Sequence, residues 1–206
     1  MPEKLYYKRN LPHFQPSNSI YFVTFRLSNS LPKNVIKELK LEFERIKNTN
    51  IGQEYFLKFN QLLDTSDTGS LWLKTNDVAE IISQAIHYRD QKEYDLYCYC
   101  IMPNHVHIIF DVTRFAESSS RNSVSTYNLA KLMQNLKKYT ALESNKVLKR
   151  TGQFWHHESY DHVIRDNKEL ENTIIYVIQN PVKAGLVTDY KKWRWSYLKE
   201  TLSIII

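Results

Sequence analysis

The sequence predicts an α+β fold, a ferredoxin-like sandwich in which helices pack on one face of an antiparallel sheet. Two observations support this prediction. Segments with apolar residues at helical spacing alternate with short aromatic and β-branched runs, which is the pattern of mixed helices and strands. Two of those runs, at 94–101 and 105–112, are joined by a tight Met-Pro-Asn turn at 102–104, which indicates a hairpin.

The first half of the chain supplies one strand and two helices besides the hairpin. Residues 20–27 (IYFVTFRL) are aromatic and β-branched, so they predict a strand. Residues 32–47 begin with proline and repeat apolar side chains at helical spacing, so they predict a helix. Residues 48–75 carry turn signals around a short apolar piece and are interpreted as an insertion within the domain. Asn76 or Asp77 can cap the next helix.

The second half adds two helices and a strand. Residues 126–147 have helical periodicity, and residues 152–165 read as a loop followed by a strand. A cap at 166–167 starts a last helix, which we expect to run to about Asn180 because Pro181 follows. The inward-facing positions predicted for the helix at 126–147 are Leu129, Leu132, Met133, Leu136 and Leu142.

Composition excludes several classes of protein. The chain has 206 residues, 28 Lys and Arg against 22 Asp and Glu (net charge +6), 42% hydrophobic residues and only four glycines, so it is neither collagen-like nor disordered. No stretch approaches the roughly 18 uncharged apolar residues of a membrane span, and the first residues lack the apolar core of a signal peptide. We therefore expect a single domain over 1–206, soluble and cytoplasmic, with no membrane partner.

Basic residues are clustered rather than evenly spread. Three of the four clusters also contain Tyr or Trp, and cations beside aromatic rings suit a groove for single-stranded nucleic acid. The other interpretation is a solvated basic face with the aromatic residues in the core, and composition leaves both open. The clusters lie at 4–9, 136–139, 146–150 and 190–195.

Two histidines in the hairpin are candidate metal ligands. Residues two apart on a strand project from the same face, so His105 and His107 can clamp one cation. The spacing alone is weak, because seven histidines in 206 positions produce such a pair by chance about a quarter of the time. Two histidines on a solvated sheet face are the alternative. The apolar run HVHIIF favours burial instead, and buried imidazoles need partners.

The last helix carries polar residues on the side away from its apolar stripe. Glu169, Thr173, Tyr176 and Asn180 fall together there, and the last two are one turn apart. A tyrosine at this position is either a boundary residue or a hydroxyl displayed to a site. If this side faces the histidine pair, two imidazoles, an amide oxygen and a phenol surround one cation.

Six segments, in order along the chain, resemble one protein family. The MPNHVH motif together with Tyr-x-x-x-Asn-Pro-Val-Lys-Ala-Gly is far more specific than His-x-His alone. The chain resembles the HUH-type single-tyrosine transposases that act on single-stranded DNA, above all the REP-associated tyrosine transposases. The resemblance covers most of the chain except 48–75. The segments are YFVTFRL, YCIMPNHVHIIF, LMQNLKKYT, GQFWHHESYDHVIRD, YVIQNPVKAGLV and WRWSY.

The resemblance implies a site and a reaction. It implies that His105, His107 and Asn180 hold a divalent metal, Mg²⁺ or Mn²⁺, and that Tyr176 is the nucleophile. In the insertion-sequence relatives the helical ligand is usually glutamine, so Asn180 agrees with one branch and departs from another. The implied reaction is nicking and rejoining through a 5′-phosphotyrosine intermediate. The implied partner is single-stranded DNA with a hairpin, a REP-like or insertion-sequence end, and a homodimer is one candidate form of the protein.

Other residues compete for two of these roles. Tyr139 lies beside Lys137 and Lys138, which can lower its pKa, and Tyr160 lies among three histidines, so each is an alternative nucleophile. For the two lysines a solvated helix face is the alternative to phosphate contact. The expected DNA-binding residues are Lys137, Lys138, Tyr139, Arg165 and Lys183.

Three functions follow from these features. The first is a transposase-like enzyme that nicks and rejoins single-stranded DNA. The second is a regulator that binds hairpin DNA on the same fold without cutting it. The third is a metal-dependent hydrolase that uses the same histidine pair, although the sequence offers no evident acidic ligand cluster for it.

Overall fold

A computed structural model of the chain describes residues 6–8, 12–14, 16, 18–44, 51–65, 69–117 and 128–205. Seven strands and six helices lie in these residues, together with three short 3₁₀ turns. The strands are β1 (Tyr6–Lys8), β2 (Pro12–Phe14), β3 (Ile20–Leu27), β4 (Asp95–Ile101), β5 (His105–Asp111), β6 (Trp155–Ile164) and β7 (Ser196–Leu198). The helices are α1 (Lys33–Glu44), α2 (Ile51–Thr65), α3 (Asn76–Arg89), α4 (Thr113–Glu117), α5 (Leu129–Val147) and α6 (Asn167–Lys183).

The main sheet has five antiparallel strands in the order β6-β3-β5-β4-β7. The predicted hairpin forms its centre, since β4 and β5 pair and β3 lies on the other side of β5. The register sets Thr24 opposite His107 and Arg26 opposite His105. Opposite residues share a face of the sheet, so these four side chains belong to one surface.

One face of the sheet is covered by α3 and α5. Alternate side chains of β3 (Tyr21, Val23, Phe25) meet Val106 and Ile108 of β5 there, and all of them are buried. The apolar stripes of the two helices pack on them, which removes both surfaces from water. The predicted α+β fold with helices on an antiparallel sheet is confirmed.

The structure adds a helix to the opposite face. Phe22 and Ile109 point there and pack on Ile174, Val177 and Ile178 of α6. Both faces of β3 are therefore covered, which explains why seven of its eight residues are buried rather than every second one. The expectation of helices on one face thus describes α3 and α5, whereas α6 forms a separate layer that faces the histidine side of the sheet.

Two local predictions about helices are wrong. Helix α6 does not stop at Asn180 but continues through Pro181 to Lys183. Proline removes only one N–H, and the turn after it is closed by bonds from the amides of Ala184 to Asn180 O and of Leu186 to Pro181 O. Leu142, expected to face inward on α5, has 57% of its surface exposed. Outside the described residues lie 45–47 and 126–127 of two predicted helices, and half of the basic cluster at 4–9, namely residues 4, 5 and 9.

The segment predicted as an insertion contains helix α2. Its side chains Asn60 and Leu63 are almost fully buried, so this helix lies against the body of the protein. That residues 48–75 form an insertion within a single domain stays a prediction. Among the helices in the described part of the chain, none is both long and apolar enough to cross a membrane.

Replacing Gly69 with alanine should destabilise the fold where the chain returns from α2. Gly69 has φ +85°, and an added Cβ would lie 2.3 Å from Asn29 O and 2.9 Å from Ser30 O. We expect a loss of about 3 kcal/mol in unfolding free energy, from positive φ and overpacking together. Gly185 is the matched control, because its φ is +68° but nothing lies within 4 Å of the added Cβ.

Gly185→Ala should therefore cost only about 1 kcal/mol. Urea unfolding of both variants at one pH gives the comparison. Equal losses in the two variants would contradict the close approach at Gly69.

Candidate active site

The histidine pair lies on the sheet face covered by α6. Both rings are fully buried, and the two Nε2 atoms are 2.9 Å apart. The strand alternation predicted for His105 and His107 is thus realised, with both imidazoles turned to the same side. Because both rings are buried next to apolar side chains, the Nδ1 atom of each ring needs a hydrogen-bond partner within the protein.

The ring of His105 is oriented through Asn104. The Asn104 amide donates from Nδ2 to the carbonyl of Leu63 at 3.0 Å, and a carbonyl only accepts, so Oδ1 must face the histidine. This oxygen lies 2.5 Å from His105 Nδ1. Nδ1 of His105 therefore carries a proton, and its Nε2 points toward His107.

His107 is held in the same way by a hydroxyl. Thr24 Oγ1 on the neighbouring strand lies 2.7 Å from His107 Nδ1. Burial lowers the pKa of His107 well below its usual range, and His105 lowers it further. His107 is thus neutral at physiological pH, and its Nε2 can act as a ligand when Nδ1 donates to Thr24.

A carboxylate from α2 meets the histidine pair. Asp64 Oδ1 lies 3.1 Å from His105 Nε2, and Asp64 Oδ2 accepts a hydrogen bond of 3.3 Å from Asn180 Nδ2. Oδ1 itself has no hydrogen-bond partner of good geometry among the described residues. An imidazole nitrogen and a carboxylate oxygen thus face each other at the end of α2.

Helix α6 brings Tyr176 and Asn180 to the same place. Asp166 caps the helix by accepting from the amide of Glu169, and the buried stripe around Val177 fixes the helix on the sheet. The ring of Tyr176 lies 5.4 Å from that of His107, centroid to centroid. Asn180 is fully buried. The structure therefore brings together the four residues His105, His107, Tyr176 and Asn180 that were predicted as one site.

The Tyr176 hydroxyl is enclosed. Its oxygen is buried without a well-formed hydrogen bond to any described residue. Burial raises the pKa of Tyr176 well above its usual range, the negative charge of Asp64 raises it further, and the nearby Asn180 amide opposes this weakly. In the arrangement described here the phenol thus keeps its proton.

These side chains fit a divalent cation. The ligand atoms of Asp64, His105 and His107 all lie within 4.8 Å of one another. Asn180 Oδ1 adds a buried oxygen that has no hydrogen-bond partner among the described residues. Imidazole nitrogen with carboxylate and amide oxygen is a donor set that Mn²⁺, Mg²⁺ and Zn²⁺ accept. A cation would satisfy the converging lone pairs that the protein leaves unpaired.

The predicted residues on α5 lie on the other face of the sheet. Lys137 donates to the carbonyls of His156 and His157 at 2.7 and 3.0 Å, so its ammonium joins α5 to β6. Lys138 and Tyr139 are exposed. Lys137 and Lys138 border a groove of about 860 Å³ between α5 and β6, away from the histidine pair. DNA contact by these three residues stays a prediction, and Tyr139 is not assembled with the site.

The other predicted contacts lie nearer the site. Lys183 is exposed and its ammonium lies 5.5 Å from the centre of the Tyr176 ring. Arg165 is exposed at the junction of β6 and α6. Tyr160, the other alternative nucleophile, is separated from Tyr176 by Phe22, whose ring contacts both, at 6.5 and 6.1 Å between centroids.

Sequence reasoning missed three residues of this site. Asp64 was missed because it lies in a segment interpreted as an insertion, 41 residues before His105, and no spacing rule links them. Thr24 was part of a strand but carried no chemical signal of its own. Asn104 was expected mainly to shape the hairpin turn, yet it also fixes His105.

A protein of known sequence supports the family resemblance. It is a curated protein of Haemophilus influenzae, provisionally named a REP-associated tyrosine transposase, and it is 29% identical over 99 residues. The match covers 47% of this chain and 54% of that protein, so this chain spans about half the length of the relative. No family model matches the chain.

A solved structure supports the fold. It is the structure of a REP-associated tyrosine transposase bound to a REP hairpin, and it superposes with a TM-score of 0.53 at 17% sequence identity. The superposition covers 95% of this chain and 82% of that one. Together the two comparisons confirm that the chain resembles REP-associated tyrosine transposases, as its motifs predicted.

Acid should weaken the fold partly through His156, which lies beside the groove. Burial lowers the pKa of His156 to about 4, with Arg26 as the next cause. The unfolded chain, with an ordinary histidine pKa near 6.5, thus binds more protons between about pH 6.5 and 4. The stability that His156 contributes is complete above this window and is lost as pH falls through it.

Urea unfolding at pH 7.5 and pH 5 measures this loss. His156→Gln should lose less stability than wild type over that interval, by about 1 kcal/mol. His107 contributes equally to the acid-dependent loss of stability in wild type and in His156→Gln, so its contribution cancels in the comparison. His157→Gln, at the exposed neighbouring position, should behave as wild type, and an unchanged loss in His156→Gln would refute the assignment.

Proposed function

We propose that this chain is a transposase-like enzyme that nicks and rejoins single-stranded DNA at hairpin sites. Tyr176 is the nucleophile, and His105, His107 and Asn180 hold a divalent cation, Mg²⁺ or Mn²⁺, to which Asp64 adds a carboxylate oxygen while α2 lies over the site. The observation that carries the proposal is one buried cluster of metal donors in contact with a tyrosine ring. The resemblance to REP-associated tyrosine transposases supports both the substrate and the reaction.

The chemistry follows from a phenol facing a phosphodiester. The O–H bond of Tyr176 breaks as its oxygen forms a bond to phosphorus, the bond from phosphorus to the 3′ oxygen breaks, and the 3′ oxygen takes up a proton as it leaves. One proton is released and one is taken up, so the step balances. The phosphate stays on the tyrosine, so a new 3′-hydroxyl can reverse the step and join another strand. A phenol with an ordinary pKa near 10 is also a good leaving group, so the energy of the broken phosphodiester bond is kept in the bond between phosphate and tyrosine. Rejoining therefore requires no ATP.

The residues around the tyrosine orient it and hold the metal donors. Thr24 and Asn104 fix the histidine rings so that their Nε2 atoms point inward. A bound cation would supply positive charge for a non-bridging phosphate oxygen as negative charge develops there. Lys183, beside the tyrosine ring, adds a second positive charge at the entrance.

Two observations support hairpin DNA as the partner, the similarity to known transposases and the charge of this chain. The similar solved structure is of a transposase bound to a REP hairpin. This chain carries a net charge of +6, with basic side chains on α5 and α6 that suit phosphate contact. A regulator that binds hairpins without cutting them is the second candidate, and complete burial of the Tyr176 hydroxyl favours it.

The position of Asp64 bears on the hydrolase alternative. Asp64 supplies the acidic ligand that the sequence seemed to lack, so the donor set alone no longer opposes metal-dependent hydrolysis. A hydrolase forms no covalent bond to DNA. Capture of a protein–DNA adduct therefore separates it from the proposed enzyme.

Tyr176→Phe should abolish the covalent adduct. The variant lacks the attacking oxygen but keeps the ring that packs on Phe22 and His107, so it should fold. We expect adduct formation and strand cleavage to fall at least about a thousandfold. The measurement is a denaturing gel with labelled single-stranded DNA that carries a hairpin from the gene's own flanks, with Mn²⁺ or with chelator.

Tyr139→Phe is the matched control, and it should form the adduct like wild type because Tyr139 lies on the other face of the sheet. An adduct that persists in Tyr176→Phe would assign the reaction to another tyrosine. Bound but uncut DNA in every lane would establish the regulator, and cleavage without an adduct would establish the hydrolase.

Thr24→Val should weaken metal binding while leaving the fold intact. Valine has nearly the shape of threonine but cannot hydrogen-bond His107 Nδ1, so the ring loses its orientation. We expect the Kd for Mn²⁺ to rise about tenfold or more, measured by calorimetric titration. Thr173→Val is the control, because the Thr173 hydroxyl donates to the Glu169 carbonyl of its own helix and not to a histidine. An unchanged Kd in Thr24→Val would oppose the role of His107 as a ligand.

A further inference from the structure

The reacting groups are closed off from any polymer substrate. His105, His107 and Asn180 have no exposed surface, and the Tyr176 oxygen is also inaccessible. A phosphate inside a DNA strand cannot reach a tyrosine oxygen that solvent cannot reach. Some part of the protein must move before the proposed reaction can begin.

Helix α2 is the element that meets the site from outside the sheet and α6. Its Asp64 contacts His105 and Asn180, and the carbonyl of Leu63 accepts the bond from Asn104. One turn earlier, Asn60 lies on the same side of the helix and is buried. The last two turns of α2 thus cover the histidine pair.

Several polar atoms under the last two turns of α2 are buried without a hydrogen bond to a described residue. Both side-chain polar atoms of Asn60 are buried without a hydrogen-bond partner among the described residues, as are Asn180 Oδ1 and the Tyr176 hydroxyl. Each buried polar atom that is left without a hydrogen bond makes the closed arrangement less stable. Closure of α2 therefore carries a penalty that water or a polar ligand would remove.

The same helix covers a buried cation on the same sheet face. Arg26 lies opposite His105 in the register and is 8% exposed. Its guanidinium donates to Ser30 Oγ at 3.0 Å and lies 5.3 Å from the ring centre of Phe59 on α2. None of the ion pairs within the described residues includes Arg26, although Glu158 acts on it at longer range. A buried cation without a paired carboxylate is costly unless an anion joins it at some stage.

We propose that single-stranded DNA and helix α2 compete for the surface formed by the histidine pair and Arg26. In this arrangement Asp64 occupies the position of the phosphate to be cut, and Phe59 occupies the position of a nucleotide next to it. Arg26 then binds a neighbouring phosphate once α2 has been displaced. The inference rests on the proposed function and adds to it a DNA-contacting residue and a built-in competitor.

The chemistry of the two occupants is alike. A carboxylate and a phosphodiester are both oxyanions that accept from the same donors, and Arg26 stacks on a ring as it would on a base.

Hydrogen exchange tests the displacement directly. The Tyr176→Phe protein is mixed with hairpin DNA that has a single-stranded flank, in chelator, so that neither cutting nor metal binding intervenes. Amides of 51–65 should exchange at least about tenfold faster with DNA than without it, while those of α3 stay unchanged. Bound DNA with equal or slower exchange in 51–65 would overturn the inference.

Removing the competitor should strengthen DNA binding. In chelator, Asp64→Ala should lower the Kd for the single-stranded oligonucleotide about fivefold, because the open state is more populated. Glu38→Gln removes the same charge from an exposed position on α1 and should change the Kd by less than about twofold. Gln61→Ala, on the exposed side of α2, controls for damage to the helix. Equal affinities in Asp64→Ala and Glu38→Gln would overturn the competition.

The salt dependence of binding tests Arg26. One lost contact with a single-strand phosphate lowers the slope of log K against log salt by about 0.7, so Arg26→Gln should show that decrease. Arg26→Lys keeps the charge and should keep the slope, which also provides a folded variant if glutamine unfolds the protein. An unchanged slope in a folded Arg26→Gln, or a reduced slope in Arg26→Lys, would overturn the role of Arg26.

The outcomes separate this inference from the proposed function. If Tyr176 forms the adduct while 51–65 stay protected in the DNA complex, only the competition fails. If the DNA neither binds nor forms an adduct, the proposed function fails, and the inference fails with it.

Discussion

The hydrogen bond from Asn104 to the Leu63 carbonyl orients the His105 ring and joins the histidine pair to α2. It fixes which end of the Asn104 amide faces His105, and so which ring nitrogen keeps its proton. The remaining nitrogen then meets Asp64, whose position in turn follows from the end of α2. A hairpin turn and a helix distant in sequence are therefore joined by one side chain, and a metal-binding geometry results from the limited donors and acceptors of an amide.

The two faces of the sheet have different roles. The face under α3 and α5 buries the larger apolar cluster and stabilises the fold. The face under α6 has a smaller apolar cluster, and the polar row of Thr24, Arg26, His105 and His107 lies beside it. Rigid strands carry these polar residues, whereas α6 and α2 approach them from above. The ligands on strands are thus held more firmly than those on helices, which suits a site that must admit a long substrate.

Much of the fold could be predicted from the sequence, because it depends on periodicity. The strand at 20–27, the hairpin and the main helices have the spacing that their burial requires. Pro181 misled the prediction, because proline in the last turn of a helix costs little. The site was predictable only in part. His105 and His107 lie two apart on a strand and Tyr176 and Asn180 one turn apart on a helix, so local geometry pairs them, and the family motif joined the pairs. Asp64 and Thr24 belong to the site only through tertiary contacts, which no local pattern contains.

The order in which the chain supplies these residues has a consequence for protein synthesis. Thr24 and Asp64 come first, the histidines lie in the middle, and Tyr176 and Asn180 come only with the last helix. A nascent chain that has already formed the central hairpin still lacks a nucleophile and an amide ligand. Under the proposed function, the reaction is therefore delayed until α6 has left the ribosome and packed on the sheet, so an incomplete chain is inactive.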